Sequence, residues 1–282
     1  MRSIHSRIRG SRDTVFLLLG ILLLIIFCVA PFYWMIVSSL KPSSAIFNND
    51  IWPTELSLEN YAALFTETNR FGLALRNSVI VAGMTTVIAM VVGVFSAYAI
   101  VRLRFPGKKI LLAAILAASM FPGAAILTPL FQLFASIGWI NTFPAMIVPD
   151  ISFALPLGIW TLTSFFREMP WELEQAAMID GASQARAFRS IILPLAAPGV
   201  FTTSLLVFTA AWNEYLIASK VSITANTNPV TVSIAKFSGS SQFDQPFGTQ
   251  MAAGVIATIP LIILVLMFQR RIVAGLTAGG VK

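Results

Sequence analysis

The chain has 282 residues, 57% of them hydrophobic and only 11% charged, with a net charge of +7 at neutral pH and a mean hydropathy of +0.82. A soluble domain carries about 25% charged residues, so this composition excludes an ordinary soluble fold and points to a membrane protein. One cysteine (Cys28) and one histidine (His5) exclude an internal disulfide, Cys–His nucleophilic chemistry and a protein zinc site.

A basic segment ends at Arg12, and an apolar stretch runs on from about Val15 to Leu40. It is too long for the core of a secretion signal and no small-residue cleavage site closes it, so a retained first helix is expected. A membrane crossing needs about 20 mostly apolar residues. Six stretches qualify: 15–38, 77–101, 110–132, 144–166, 198–219 and 249–269. The expected fold is all-α and integral to the membrane, with six transmembrane helices. Pro122, Pro129, Pro149 and Pro156 lie in the third and fourth stretches. Proline inside a membrane helix kinks it and frees a carbonyl, which is tolerated where the helix lines a cavity or packs on neighbours.

The connecting segments alternate in charge. Arg2, Arg7, Arg9, Arg12, Arg102, Arg104, Lys108, Lys109, Arg167, Arg186, Arg189, Arg270, Arg271 and Lys282 share one side, against Lys41, Arg70, Arg76, Lys220 and Lys236 on the other. The positive-inside rule then predicts both termini in the cytoplasm. Bases at helix ends, without a stripe of interleaved aromatics, speak for membrane lipid and against nucleic acid. The two long external segments, 41–76 and 220–248, are expected to be surface loops.

The most informative segment, Pro170 to Ser183, lies in a polar loop from Arg167 to Leu193. Pro170 suits a first helical position. Glu172 and Glu174 come next, where the helix dipole favours acids. Gly181 suits a left-handed corner. Ser183 can cap a second helix running to about Leu193, and Pro194 is expected to break the chain after it. Two short helices about a glycine corner are therefore expected, the first covering about 11 residues and roughly 16 Å. Ala176 and Ala177 leave little bulk and permit docking in a groove. On these residues alone, a solvated loop packed on nothing is an equal alternative.

Glu174-Gln-Ala-Ala-Met-Ile-Asp-Gly181, nine further residues, then Ile191-Ile-Leu-Pro194 resembles the EAA loop of binding-protein-dependent ABC importer permeases. The spacing matches at Ala176, Ala177, Gly181, Ile191, Leu193 and Pro194. Gln175 departs from the pattern, standing where the family has its first Glu. That leaves Glu174, or no charge at all, for an acidic contact to the ATPase at that end of a coupling surface that also includes Asp180. Leu75-Arg-Asn-Ser78, Ala211-Trp-Asn-Glu-Tyr215 and the end Gly275–Lys282 resemble maltose-importer permeases. Phe153–Leu157, Ser164–Glu168 and Gln269–Gly275 are similar to actinobacterial trehalose permeases. The resemblance implies a type I importer (MetI-like) fold: a core over 71–269 with its coupling loop at 167–197, preceded by a segment 1–70 that holds a cytoplasmic tail, the first helix and an external loop, and followed by a cytoplasmic tail 270–282.

It also implies a multi-pass protein of the bacterial cell membrane. Its partners would be a second homologous permease subunit, two ATPase subunits or domains, and an extracytoplasmic sugar-binding protein or lipoprotein. The solute implied is a disaccharide such as trehalose or maltose. The chain has no Gly-x4-Gly-Lys-Ser/Thr loop, so no cofactor is expected on it, and ATP and Mg belong to the partner ATPase. The tail residues Gly275, Thr277, Gly279 and Gly280 would reach the ATPase interface; read without the resemblance, such a tail is simply disordered.

Polar residues in or near the spans are the candidates for a solute path, because ionisable groups inside a membrane are functional by default. The polar residues are Asn77, Gln132, Asp150, Asn213 and Glu214, and the candidate path is Asn77, Asp150, Asn213 and Glu214 with the neighbouring Trp212. Asp150 reads equally as an interfacial acid and Trp212 as an interfacial anchor. Whether this chain or its partner permease holds the main sugar site stays open. An ion-coupled carrier or channel is the alternative function, but no inverted repeat or mid-span charge pair supports it. A membrane enzyme lacks any nucleophile–base or metal constellation here.

Overall fold

Lipid offers no hydrogen bonds to a backbone, so apolar stretches of this length must close their own as helices. The computed structural model describes residues 2–48, 50–237 and 246–278, with side chains over 13–48, 50–237 and 246–269. In chain order its helices are α1 (Arg2–Ser39), α2 (Glu59–Leu64), α3 (Phe71–Arg102), α4 (Lys108–Ser119), α5 (Gly123–Ser136), α6 (Pro144–Glu168), α7 (Glu172–Ile179), α8 (Gln184–Ala187), α9 (Leu193–Trp212), α10 (Ala218–Val221), α11 (Val230–Ala235) and α12 (Phe247–Ala278). Among the described residues, five stretches are long and apolar enough to cross a membrane: Asp13–Ser39, Phe71–Arg102, Pro144–Glu168, Gln184–Trp212 and Phe247–Gln269. The bent pair α4 and α5 makes a sixth if it counts as one crossing.

Three expectations need correction. The stretch 110–132 is not one helix; α4 and α5 meet at 86°. Pro122, with φ −67° and ψ 116°, supplies no N–H to continue α4 and stands instead as the cap before α5. Pro194 does not break the chain either. A wide π turn over Phe188–Ile192 carries α8 into α9, with the Leu193 N–H donating to the Phe188 carbonyl. That looser turn makes room for the proline ring, so the fifth crossing begins at Gln184, not near 198. Finally, 220–248 is not simply a surface loop. Its α11 buries Val230 and Val232, while Val230 N–H donates to Ser78 Oγ at 2.8 Å.

Two compact units divide the chain: Met1–Asn69 with Phe237–Thr258, and Arg70–Lys236 with Ile259–Lys282. In the first, the expected surface loop is tied down by buried polar groups. Lys41, only 2% exposed, donates to the carbonyls of Asn48 at 2.6 Å and Asp50 at 3.0 Å. Asn60 donates to the carbonyls of Ser39 and Lys41.

In the second unit, α3 packs along α6 and α9. With lipid as apolar as leucine, close backbone approach must supply the attraction, and small residues allow it. Gly93 faces Leu162, and Gly158 faces Thr203 and Val207. At Gly199 an added Cβ would fall 2.5 Å from the Phe165 ring. Ala89, Ala97, Leu162, Phe166, Ile192 and Val207 fill the shared core.

Candidate functional site

The polar segment between α6 and α9 takes the expected helix–corner–helix form. Met169 is extended, with ψ 128°, as a residue before proline should be. Pro170 lies just outside α7, not at its first turn, and the helix is eight residues long. Gly181 has φ +86°. Around it the Ala182 N–H donates to the Ala177 carbonyl at 2.9 Å and the Gly181 N–H to the Met178 carbonyl at 3.1 Å. This double closure satisfies the last carbonyls of α7 and requires a left-handed residue at its end. Ser183 caps α8, its Oγ accepting from the Arg186 N–H.

Glu174 lies where an outward contact was expected, yet it points inward and is 1% exposed. Its carboxylate accepts from the Tyr98 hydroxyl and lies 3.2 Å from Arg102 Nε. The latter is an ionic contact and not an aligned hydrogen bond, since neither Arg102 Nε nor Glu174 Oε2 has a hydrogen-bond partner. Arg102 also donates to the Met169 carbonyl at 3.2 Å, and its guanidinium sits 4.9 Å from the centre of the Trp171 ring. Breaking a buried ion pair from one side costs about 3–5 kcal/mol, because a buried charge is left alone. Glu174 thus fastens α7 to the end of α3.

What α7 presents outward is Gln175, Ala176, Met178, Ile179 and Asp180, all exposed, while Ala177 is buried against its own chain. Ile179 is 86% exposed. Ile191 and Leu193 pack against the α3–α6–α9 core, and Pro194 is exposed beside them.

The solute-path candidates separate. Asp150 and Glu214 line one cavity of about 320 Å³ with Phe121, Phe153, Leu157 and Val207. Asp150 is 5% exposed, and neither of its oxygens has a hydrogen-bond partner among the described residues. Glu214 accepts from the N–H groups of Ile217 at 2.7 Å and Ala218 at 3.0 Å, so part of its capacity is used at the start of α10. Asn77 does not join them. It is buried and donates to the carbonyls of Asn226 at 2.9 Å and Asn228 at 3.1 Å, which clamps the segment before α11 onto α3. Trp212 is buried too, stacked on Phe208 at 5.6 Å. Asn213 is exposed and donates back to the Thr209 carbonyl. Gly275 and Thr277 belong to the backbone of α12; Gly279 and Gly280 lie outside the described residues.

Residues 89–277 match the family of binding-protein-dependent transport system inner membrane components. The chain belongs to this family. This permease is 47% identical to the trehalose transport system permease protein SugB of Mycobacterium tuberculosis, covering 91% of this chain and 93% of the relative. It is 40% identical to the trehalose/maltose transport system permease protein MalG of Thermococcus litoralis, over 95% and 96% of the two chains. Identity to the sulfoquinovosyl glycerol transport system permease protein SmoH of Agrobacterium fabrum is 36%, over 89% of this chain and 88% of that one. A solved structure of a bacterial ABC transporter importing the acidic polysaccharide alginate superimposes with a TM-score of 0.75 at 21% identity, covering 95% of this chain and 98% of that one. The permease therefore has the MetI-like fold and spans the membrane several times. It is a permease subunit of the sugar ABC importer family, which has no cofactor of its own, and it is not itself an enzyme.

Tyr98 and Arg102 were not singled out by sequence reasoning. Arg102 was counted only as one of the bases at a helix end. The available signal was their spacing: positions i and i+4 share one helix face, here at the end of a span that precedes a polar loop.

Proposed function

We propose that the permease is one of two homologous membrane subunits of an ATP-driven importer for a disaccharide such as trehalose or maltose. The observation that carries this is the exposed face of α7, small and weakly polar at Gln175 and Ala176 and set on a helix held rigidly from behind. Such a face docks into a groove on a separate ATPase. The 47% identity to a trehalose permease supports a disaccharide, and so does the site. Asp150 and Glu214 offer carboxylate acceptors beside the rings of Phe121 and Phe153. Acceptors for hydroxyls beside aromatic faces for C–H surfaces are what a sugar requires. An extracytoplasmic binding protein delivers the sugar, and ATP and Mg act on the ATPase. The charge distribution supports a bacterial cell-membrane location with both termini in the cytoplasm. Gly275, Thr277, Gly279 and Gly280 extend the ATPase contact from the chain's end.

Proteoliposomes holding both permeases and the ATPase, supplied with binding protein, test this reading. Uptake of a disaccharide that requires ATP is the expected result. Uptake by this chain alone, driven by an ion gradient, would overturn it.

A further inference from the structure

The coupling helix has two routes into the membrane. One runs along the chain: α7 turns at Gly181, continues through α8, and enters α9 by the π turn over Phe188–Ile192. Neither joint continues a regular α-helix, because Gly181 forms a left-handed corner at φ +86° and a π turn interrupts the regular ladder of a helix. The other route bypasses the chain. Tyr98 and Arg102 stand one turn apart on α3 and gather every part of the loop. Tyr98 takes Glu174 of α7 and receives Gln184 of α8 at 3.4 Å. Arg102 takes Glu174, the Met169 carbonyl and the Trp171 ring. The Tyr98 ring also packs on Phe188 at 4.6 Å between centroids and edge-on to Phe166 at 6.2 Å.

Resting on the proposed function, we propose that Tyr98, Arg102 and Glu174 form the latch that passes movement of the docked coupling helix directly into the α3 span. Charge-assisted contacts between rigid helices transmit force better than a glycine corner and a π turn in series. Because α3 packs along both α6 and α9, and these two line the Asp150–Glu214 cavity, a shift of α3 reaches the cavity walls. Glu174, Arg102 and Tyr98 are positioning residues that act through α3.

The test uses the assembled complex in proteoliposomes and reads three quantities: ATPase co-purification, ATP hydrolysis, and sugar carried per ATP. Wild-type complex is the control, since absence of ATP-driven uptake there defeats the proposed function and not the latch. Glu174→Gln keeps the volume and an acceptor for Tyr98 but strands the Arg102 charge. The neutral pair Arg102→Gln with Glu174→Gln is therefore measured beside it, together with Tyr98→Phe, which removes one hydroxyl only. In the neutral pair ATPase association and hydrolysis should persist, while sugar carried per ATP falls about tenfold, within the usual range of coupling between distant sites. Tyr98→Phe should lower the same ratio by a smaller factor. Arg102→Lys, which retains the charge, should recover more of it than Arg102→Gln. A wild-type ratio in both the neutral pair and Tyr98→Phe overturns the latch. So does a transport loss in those variants that is fully matched by loss of the ATPase from the complex, because Glu174 would then be serving as a docking contact.

Discussion

Asp150 and Glu214 come from α6 and from the turn after α9, and they open on the same cavity. Asp150 has both oxygens free of hydrogen bonds, whereas Glu214 is engaged with the first N–H groups of α10. The two acids are therefore unequal, and Asp150 is the one whose acceptor oxygens are both unused. Asp150→Asn should lower sugar uptake severalfold, since it replaces one of two acceptor oxygens with a donor. It should leave thermal stability unchanged or raised, because a buried carboxyl without hydrogen-bond partners is itself costly. Uptake by the reconstituted complex and thermal unfolding in detergent check the two halves. A marked fall in melting temperature with normal uptake would assign Asp150 to the scaffold.

Asn77 should behave in the opposite way. Its amide holds two buried carbonyls of the segment before α11. Asn77→Ala should cost about 1–3 kcal/mol for the acceptors left unsatisfied. Thermal unfolding should show the loss, while the preference among sugars in a competition assay stays as it was.

Gly181 is expected to tolerate asparagine better than valine. At φ +86° a β-branched residue pays a steric penalty of about 1–2 kcal/mol that asparagine largely escapes. Space is not limiting, since nothing lies within 4 Å of an added Cβ. Gly181→Val should insert normally yet lose transport or ATPase association, and Gly181→Asn should retain both. Equal transport by the two variants would count against the corner.

Glu59 gives a pH dependence. The Ser43 backbone N–H, and after it the Ser43 hydroxyl, hold its carboxyl below the ordinary value of 4.5. A carboxyl depressed in the folded state contributes stability above its unfolded value and loses it as pH falls through the folded one. The attachment of residue 43 to α2 should therefore loosen below pH 4.5, and Glu59→Gln should remove that dependence. Hydrogen exchange of the Ser43 amide against pH measures it.

Much of this protein was legible without coordinates, because the signals are local. Apolar runs long enough to cross a membrane set the spans. The acids, Gly181 and Ser183 set a helix, a corner and a second helix, since capping and dihedral preference act within a few residues. The Ala176–Pro194 spacing marked the family. What the sequence could not decide are relationships between residues far apart in the chain. Glu174 turns inward because Tyr98 and Arg102, more than seventy positions earlier, meet it at the end of α3, and a buried carboxylate must have such partners. Asn77, Asp150 and Glu214 looked alike as polar residues in apolar surroundings. Packing alone made the first a clamp and brought the other two to one cavity, because only the path of α6, α9 and the returning segment determines which polar groups find a backbone partner and which do not.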